Sequence, residues 1–307
     1  MSTVFLFSGQ GSQYPGMGRA LVEAYPKLAE IYTMASSIVG FDIREYCFVG
    51  TAEDLSQTII SQPCIMATSL IAFEAAKHNG ITATAVAGHS LGEYAAMVAS
   101  GMLSFEDGFK VIKARSRIMQ EVAEANPGSM CAIIGKTAEE VDEICLTLTE
   151  YAAPVNYNSP SQTVIAGTDE GIDEAIKAFT EKGAKAIKLN VNAAFHSKMM
   201  KPAAEDFYNE IRDVHFEVPE CQFFSNLYGD ELTDFSDMPE ILSKHIMSPV
   251  KFTSELEKLS AAGYDKFVEC GPGKVLTGLV KKTLKGATAL NIEDFETLKK
   301  AMETINA

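Results

Sequence analysis

The chain has 307 residues, 47% of them hydrophobic and 22% charged, which is the composition of a globular enzyme and excludes disorder. Its formal net charge of −15 argues against nucleic acid or an anionic membrane as a general partner, and no apolar run approaches the roughly 20 residues of a membrane helix. Six cysteines lie far apart, without the paired spacing of a zinc site or a disulfide framework, so a reducing cytoplasm fits best.

In chain order, the opening Met1–Phe7 reads as a strand, since it has neither the basic region nor the cleavage site of a signal peptide. It runs into a polar, glycine-rich loop, Ser8-Gly9-Gln10-Gly11-Ser12-Gln13, which lacks the Lys-Ser/Thr of a phosphate-binding P-loop. Leu21, Ala24, Leu28 and Ile31 predict a helix from about Gly18, and residues 63–79 predict a buried helix opening at Pro63. A short strand, Ala83–Ala87, then leads into Gly88-His89-Ser90-Leu91-Gly92, followed by a small-residue helix over Glu93–Ser100 and another over Phe105–Ala125.

From about 128 to 189 the order changes to strand Met130–Gly135, helix Ala138–Thr149, strands Pro154–Asn156 and Thr163–Ala166, helix Glu170–Lys182 and strand Lys185–Leu189. This βαββαβ order is that of a ferredoxin-like unit, inserted into a larger α/β-hydrolase-like domain formed by residues 1–127 and 190–307. The larger part resumes with a helix after Pro202, a strand at Gln222–Asn226, a helix at Pro239–Ile246 and a strand at Lys266–Cys270. Alternating strands and helices predict a mostly parallel sheet covered on both faces.

A strand, then Gly-His-Ser-Leu-Gly, then a helix is the setting of a nucleophile elbow. The turn presents the serine hydroxyl to a cleft, flanking glycines permit close approach, and the helix N-terminus offers amides to an oxyanion. Ser90 needs a base, and five histidines are available. His78 ends a helix, His89 points away from the cleft side of the turn, and His215 sits in an alternating stretch typical of a half-exposed strand. His196 and His245 remain, and His196 is favoured because it lies where the chain re-enters the larger domain. The Leu91 amide and one from the Gly9-Gln10-Gly11 loop are the expected oxyanion-hole donors.

Several segments in order resemble the malonyl-CoA:acyl carrier protein transacylase family of bacterial fatty acid synthesis. They are Phe7–Gln13, Gln62-Pro63, Gly88–Tyr94, Arg115 with Met119, Asn158–Gln162, Phe195-His196-Ser197, Ser248-Pro249-Val250 and Glu269–Leu276. The resemblance covers nearly the whole chain. It implies that Ser90 is acylated, that His196 is its base, and that Gln10 and Leu91 supply the oxyanion-hole amides. It also implies that Arg115 pairs with the malonate carboxylate, with Gln62, Asn158 and Phe195 in the substrate site. Arg117 reads as a solvated helix charge. The family uses a backbone carbonyl near Ser-Pro-Val in place of a triad carboxylate, and often has glutamine where this chain has His245. Phe195 resembles the position that crowds an α-methyl branch in malonyl-selective enzymes, worth about 1–2 kcal/mol.

The expected reaction moves malonyl from malonyl-CoA through a malonyl-serine ester to the phosphopantetheine thiol of acyl carrier protein. It requires no metal or redox cofactor and a single chain. Acidic carrier proteins would dock on Lys281, Lys282 and Lys285, or on Lys198 and Lys201. Competing readings are a free-standing acyltransferase serving a polyketide synthase, a serine esterase or thioesterase, and a non-catalytic carrier-protein- or CoA-binding module.

Overall fold

The computed structural model describes residues 3–305. Met1 and Ser2, which the sequence reading placed in the first strand, lie outside the described residues. In chain order the elements are β1 (Thr3–Phe7), α1 (Arg19–Ala24), α2 (Ala29–Val39), α3 (Ile43–Val49), α4 (Thr58–His78), β2 (Ala85–Gly88), α5 (Gly92–Ala99) and α6 (Phe105–Ala125). Next come β3 (Ser129–Ile134), α7 (Ala138–Cys145), β4 (Ala152–Ser159), β5 (Gln162–Gly167), α8 (Asp169–Glu181) and β6 (Lys185–Lys188). The chain closes with α9 (Lys201–Ile211), β7 (Gln222–Ser225), β8 (Asp230–Leu232), α10 (Met238–Ile246), α11 (Phe252–Ala261), β9 (Lys266–Cys270), α12 (Val275–Thr283), β10 (Thr288–Ile292) and α13 (Phe295–Ile305).

Two sheets organise these elements. The larger has the order β10-β9-β1-β2-β7-β8, parallel throughout except for the β7–β8 pair. Every residue of β1 and β2 is buried, as expected of central strands covered by helices on both faces. The smaller sheet, β4-β5-β3-β6, is antiparallel, with α7 and α8 packed on a separate apolar core that includes Ile133, Ile165, Ile172 and Phe179. The fold is thus α/β-hydrolase-like, carrying a small inserted ferredoxin-like unit. Backbone bonds tie β4 of the small sheet to the loop between α10 and α11: Val250 donates to Val155 at 2.8 Å, and Tyr157 donates to Val250 at 2.9 Å. That seam adjoins Ser248, whose carbonyl belongs to the site described below.

Several expectations needed correction. The helix predicted from Gly18 to Ile31 is broken, because Pro26 disfavours helical geometry at Tyr25, which sits at φ −128° and ψ 74°. Pro63 does not open its helix. It lies inside α4, which begins five residues earlier at Thr58, and the apolar burial of Ile60, Cys64, Ile65 and Met66 along the same helix offsets the one hydrogen bond the proline cannot donate. The same 21-residue helix is, by length and apolar composition, able to span a membrane, contrary to the sequence reading, but 89% of its most apolar window is buried inside the protein. The helix expected over 138–149 stops at Cys145. His215 lies in no strand. Its segment is irregular, and the ring is exposed beside Glu217 at 3.0 Å, because alternation alone supplies no neighbouring strand to pair with.

Candidate active site

β1 and β2 are parallel neighbours in register Phe7↔Gly88, so the loops leaving their carboxyl ends lie side by side. One carries Gln10 and the other Ser90, at the end of the sheet where ligands of open α/β folds bind. The turn at Ser90 is tight. A Cβ on Gly92 would stand 2.1 Å from the Phe7 carbonyl oxygen, and one on Gly88 would stand 2.1 Å from the Gly92 backbone, so only glycine fits. Ser90 itself has φ 54°. His196 has φ 60°, and no other non-glycine described residue has positive φ. Each such backbone costs about 1–3 kcal/mol and persists only where its surroundings enforce it.

These two strained residues face each other. Ser90 Oγ lies 2.7 Å from His196 Nε2, the separation of a nucleophile and its base. The other ring nitrogen, Nδ1, donates to the His245 carbonyl at 2.9 Å and the Ser248 carbonyl at 3.2 Å. Among the described residues no carboxylate bonds His196 Nδ1; two backbone oxygens fix its tautomer instead. Burial holds the imidazole well below its usual pKa, reinforced by His245 and Arg115. The free base therefore persists below the ordinary titration range of histidine.

Arg115, on the inner face of α6, is fully buried. Its Nη2 donates to Ser90 Oγ at 3.0 Å and its guanidinium lies 5.1 Å over the Tyr94 ring, while Nε and Nη1 have no partner. Burial depresses its pKa, yet a guanidinium stays charged. A buried cation with two free donors is costly until an anion arrives. Arg117, two residues on, is half-buried at the surface and paired with Glu121 and Glu210, a surface helix charge as expected.

The cleft in front of Ser90 holds about 360 Å³ and is lined by Gln10, Gln62, Met119, Met130, Asn156 and Phe195, among others. It opens into a wider groove of about 1110 Å³ bordered by Gln10, Ser56, Leu189 and Phe195. Gln62 donates to the Gln10 side chain at 3.3 Å, and Gln10 to Thr58 at 3.3 Å, which steadies the Gln10 loop. The backbone amides of Gln10 and Leu91 have no hydrogen-bond partner among the described residues. Ser90 N–H is taken, donating to Asn226 Oδ1 at 2.6 Å.

Two candidates sit apart from the reacting atoms. Asn158 does not line the cleft; its Oδ1 lies 2.7 Å from His89 Nε2, and that ring also meets Phe252 edge-on. His245 is not placed as the base. Its Nδ1 is 2.8 Å from Glu93 Oε2, close in distance but without hydrogen-bond alignment, and only its carbonyl reaches His196.

Sequence reasoning missed Asn156, Glu93, Asn226 and Glu255. Asn156 lines the cleft with a buried, unpartnered Oδ1. The other three form a buried polar group behind the elbow. The available signals were the place of Glu93 in the first turn of α5 and of Asn226 at the carboxyl end of a strand.

Residues 4–302 match the family model described as the acyl transferase domain. The chain is 39% identical over 305 residues to the malonyl CoA-acyl carrier protein transacylase of Bacillus subtilis, covering 98% of this chain and 96% of that protein. It is also similar to the crystal structure of malonyl CoA-acyl carrier protein transacylase from Clostridium perfringens, at TM-score 0.95 and 36% identity, covering 100% of this chain and 98% of that one. A malonyl-transacylase solved with its type II polyketide synthase acyl-carrier protein matches at TM-score 0.94 and 32% identity, over 99% and 100% of the two chains. With likeness of this extent added to a serine and histidine held by strained backbone beside a buried arginine, the chain belongs to the acyl transferase family and, within it, to the malonyl-CoA–acyl carrier protein transacylases.

Proposed function

We propose that this enzyme transfers the malonyl group of malonyl-CoA to the phosphopantetheine thiol of acyl carrier protein, supplying fatty acid synthesis. The observation that carries the reading is Arg115, a buried guanidinium whose Nη2 is 3.0 Å from Ser90 Oγ and whose Nε and Nη1 are free. A malonyl ester on Ser90 places a second carboxylate within its reach, and a bidentate ion pair satisfies donors that a plain acyl chain leaves empty.

The steps follow from the geometry. Ser90 Oγ attacks the thioester carbon while His196 Nε2 takes its proton, and the amides of Gln10 and Leu91 receive the oxyanion. The tetrahedral intermediate collapses, breaking the carbon–sulfur bond. CoA leaves with the proton from His196, and a malonyl-serine ester remains. The phosphopantetheine thiol then gives its proton to His196 and attacks the ester carbon, and the proton returns to Ser90 as the carrier thioester departs. No metal or redox group takes part.

Residues 128–189 form the insert, and residues 1–127 with 190–307 carry the reacting groups. Gln62 steadies the Gln10 loop, Asn158 fixes His89, and Phe195 crowds an α-methyl branch. The enzyme acts as a single chain in the cytoplasm. The carrier docks on exposed lysines at the cleft rim, where Lys198 lies over the Tyr151 ring, or at the end of α12, where Lys282 reaches Gln162.

A hydrolase of plain esters is disfavoured by the carbonyls behind His196, where a triad carboxylate would stand. The deciding experiment is the intact mass of the protein after incubation with malonyl-CoA. A malonyl adduct that is absent in Ser90→Ala and discharged by carrier protein is expected. No adduct under turnover conditions leaves only a binding module.

A further inference from the structure

The strained conformation of Ser90 needs something to hold it, and the groups that do so lie behind the elbow, away from the cleft. Ser90 N–H donates to Asn226 Oδ1 at 2.6 Å, and its carbonyl accepts from Glu93 N–H at 3.1 Å. Asn226 Nδ2 donates both to the Gly88 carbonyl and to Glu255 Oε1, each at 2.6 Å. One planar amide therefore grips the chain on both sides of His89, accepting from residue 90 and donating to residue 88.

Asn226 is itself pinned at every polar atom. Its backbone N–H donates to Glu93 Oε1 at 2.7 Å, and its carbonyl accepts from Lys251 N–H at 3.0 Å. Asn226 and Glu255 are wholly buried and Glu93 is 1% exposed, so water cannot substitute for a lost partner. Burial and the neighbouring Glu93 charge push the Glu255 carboxyl well above the usual carboxylate range, in keeping with an Oε2 that has no partner. Because the Ser90 amide is consumed here, the Leu91 and Gln10 amides are the ones left free for an oxyanion.

We propose that Asn226 is a positioning residue of the acyl transfer: its side-chain amide holds the Ser90 backbone in the left-handed conformation, and Glu255 fixes the orientation of that amide. The inference rests on the malonyl-transfer reading above. An aspartate at 226 keeps an acceptor for Ser90 but loses both donors and sets a carboxylate against Gly88 O and Glu255. Changing Glu255 to glutamine in the same chain puts an amide donor that cannot ionise across that contact.

The test is single-turnover formation of malonyl-Ser90, with melting temperature and the malonyl-CoA concentration for half-saturation measured alongside. Asn226→Asp and Asn226→Ala are expected to slow acylation per folded molecule by about 100-fold, the cost of misplacing a nucleophile by around an ångström. Half-saturation should shift by less than about three-fold, because the substrate-binding groups are untouched. Adding Glu255→Gln to Asn226→Asp should recover about ten-fold, as coupled neighbours do. A purely structural role would lower the melting temperature and leave the rate per folded molecule within two-fold of the parent. That result, or a double variant slower than Asn226→Asp alone, overturns the inference. Asn226→Ala, which leaves a void and no misplaced charge, keeps the test decisive if the aspartate variant does not fold. A parent enzyme that forms no adduct removes the malonyl-transfer reading itself, whereas a normal parent with unaffected variants removes only the role of Asn226.

Discussion

The large parallel sheet and the small antiparallel one face the same cleft with different materials. From the helices and loops of the large sheet come Ser90 and Arg115, with Gln10 on the adjacent strand loop. The small sheet contributes Met130 and Asn156, which line the cleft and make no hydrogen bond to Ser90. The segment 189–197 joins the two and carries Phe195 and His196. The difference teaches where rigidity is concentrated. Of the groups that meet within about 3 Å, Ser90 follows a buried strand end, Arg115 lies on the inner face of a long helix, and His196 sits on the joining segment. Part of the cleft wall, by contrast, is supplied by a separate unit with its own core.

If that division holds, substitutions on the large-sheet side should cost far more than those on the small-sheet side. The largest effect belongs to Arg115→Ala, which should lower kcat/KM for malonyl-CoA by about 10²–10³-fold, the cost of leaving a buried carboxylate unpaired. The relative rate with acetyl-CoA should rise at the same time. Parallel assays with the two thioesters check this, and an unchanged preference would remove Arg115 from the substrate site.

The joining segment should give an intermediate effect. Phe195 is buried at the cleft edge. Phe195→Ala should raise the methylmalonyl-to-malonyl ratio of kcat/KM by about ten-fold, the usual worth of accommodating one methyl group. Competition between the two CoA esters measures it directly. The smallest effect is expected on the small sheet. Asn156→Ala removes an unpartnered amide oxygen, so KM for malonyl-CoA should change by about two- to five-fold with kcat nearly constant. A collapse of kcat in that variant would show that the small unit takes part in the chemistry, and would break the comparison.

Much of this was legible without coordinates. The elbow could be read because its chemistry is local. Two glycines, a strand before and a helix after describe a turn that exposes Ser90, and the contacts at Gly88 and Gly92 bear this out. The βαββαβ rhythm of the small unit was legible for a similar reason, since each element declares itself by period and punctuation. The break at Tyr25-Pro26 and the early start of α4 were not, because a proline's effect depends on what the neighbouring residues bury.

Arg115 and Arg117 mark the limit of local reading. They share a helix and a side-chain type, yet one is sealed beside Ser90 and the other pairs with glutamates in solvent. The sequence resemblance singled out the first, and only packing supplied the physical reason. Glu93 and Asn226 carry only a positional signal, and nothing local in the chain says that they meet each other and Glu255. Glu93 lies on α5, Asn226 just after β7 and Glu255 on α11, with Glu93 and Asn226 133 residues apart, and the parallel pairing of β2 with β7 brings the first two together.

The sequence by itself therefore singled out Ser90 as the candidate nucleophile and gave most of the order of elements and the family, because each is written in short, ordered segments of chain. The sequence favoured His196 over His245, and tertiary structure supplied the contact, with His196 Nε2 2.7 Å from Ser90 Oγ. Tertiary structure also identified the His245 and Ser248 carbonyls as the ones behind His196, and it alone decided that Arg115 is buried with donors to spare and that the Ser90 amide is already taken by Asn226. Those facts depend on distances between residues remote in sequence, fixed by the register of a sheet and the packing of helices upon it.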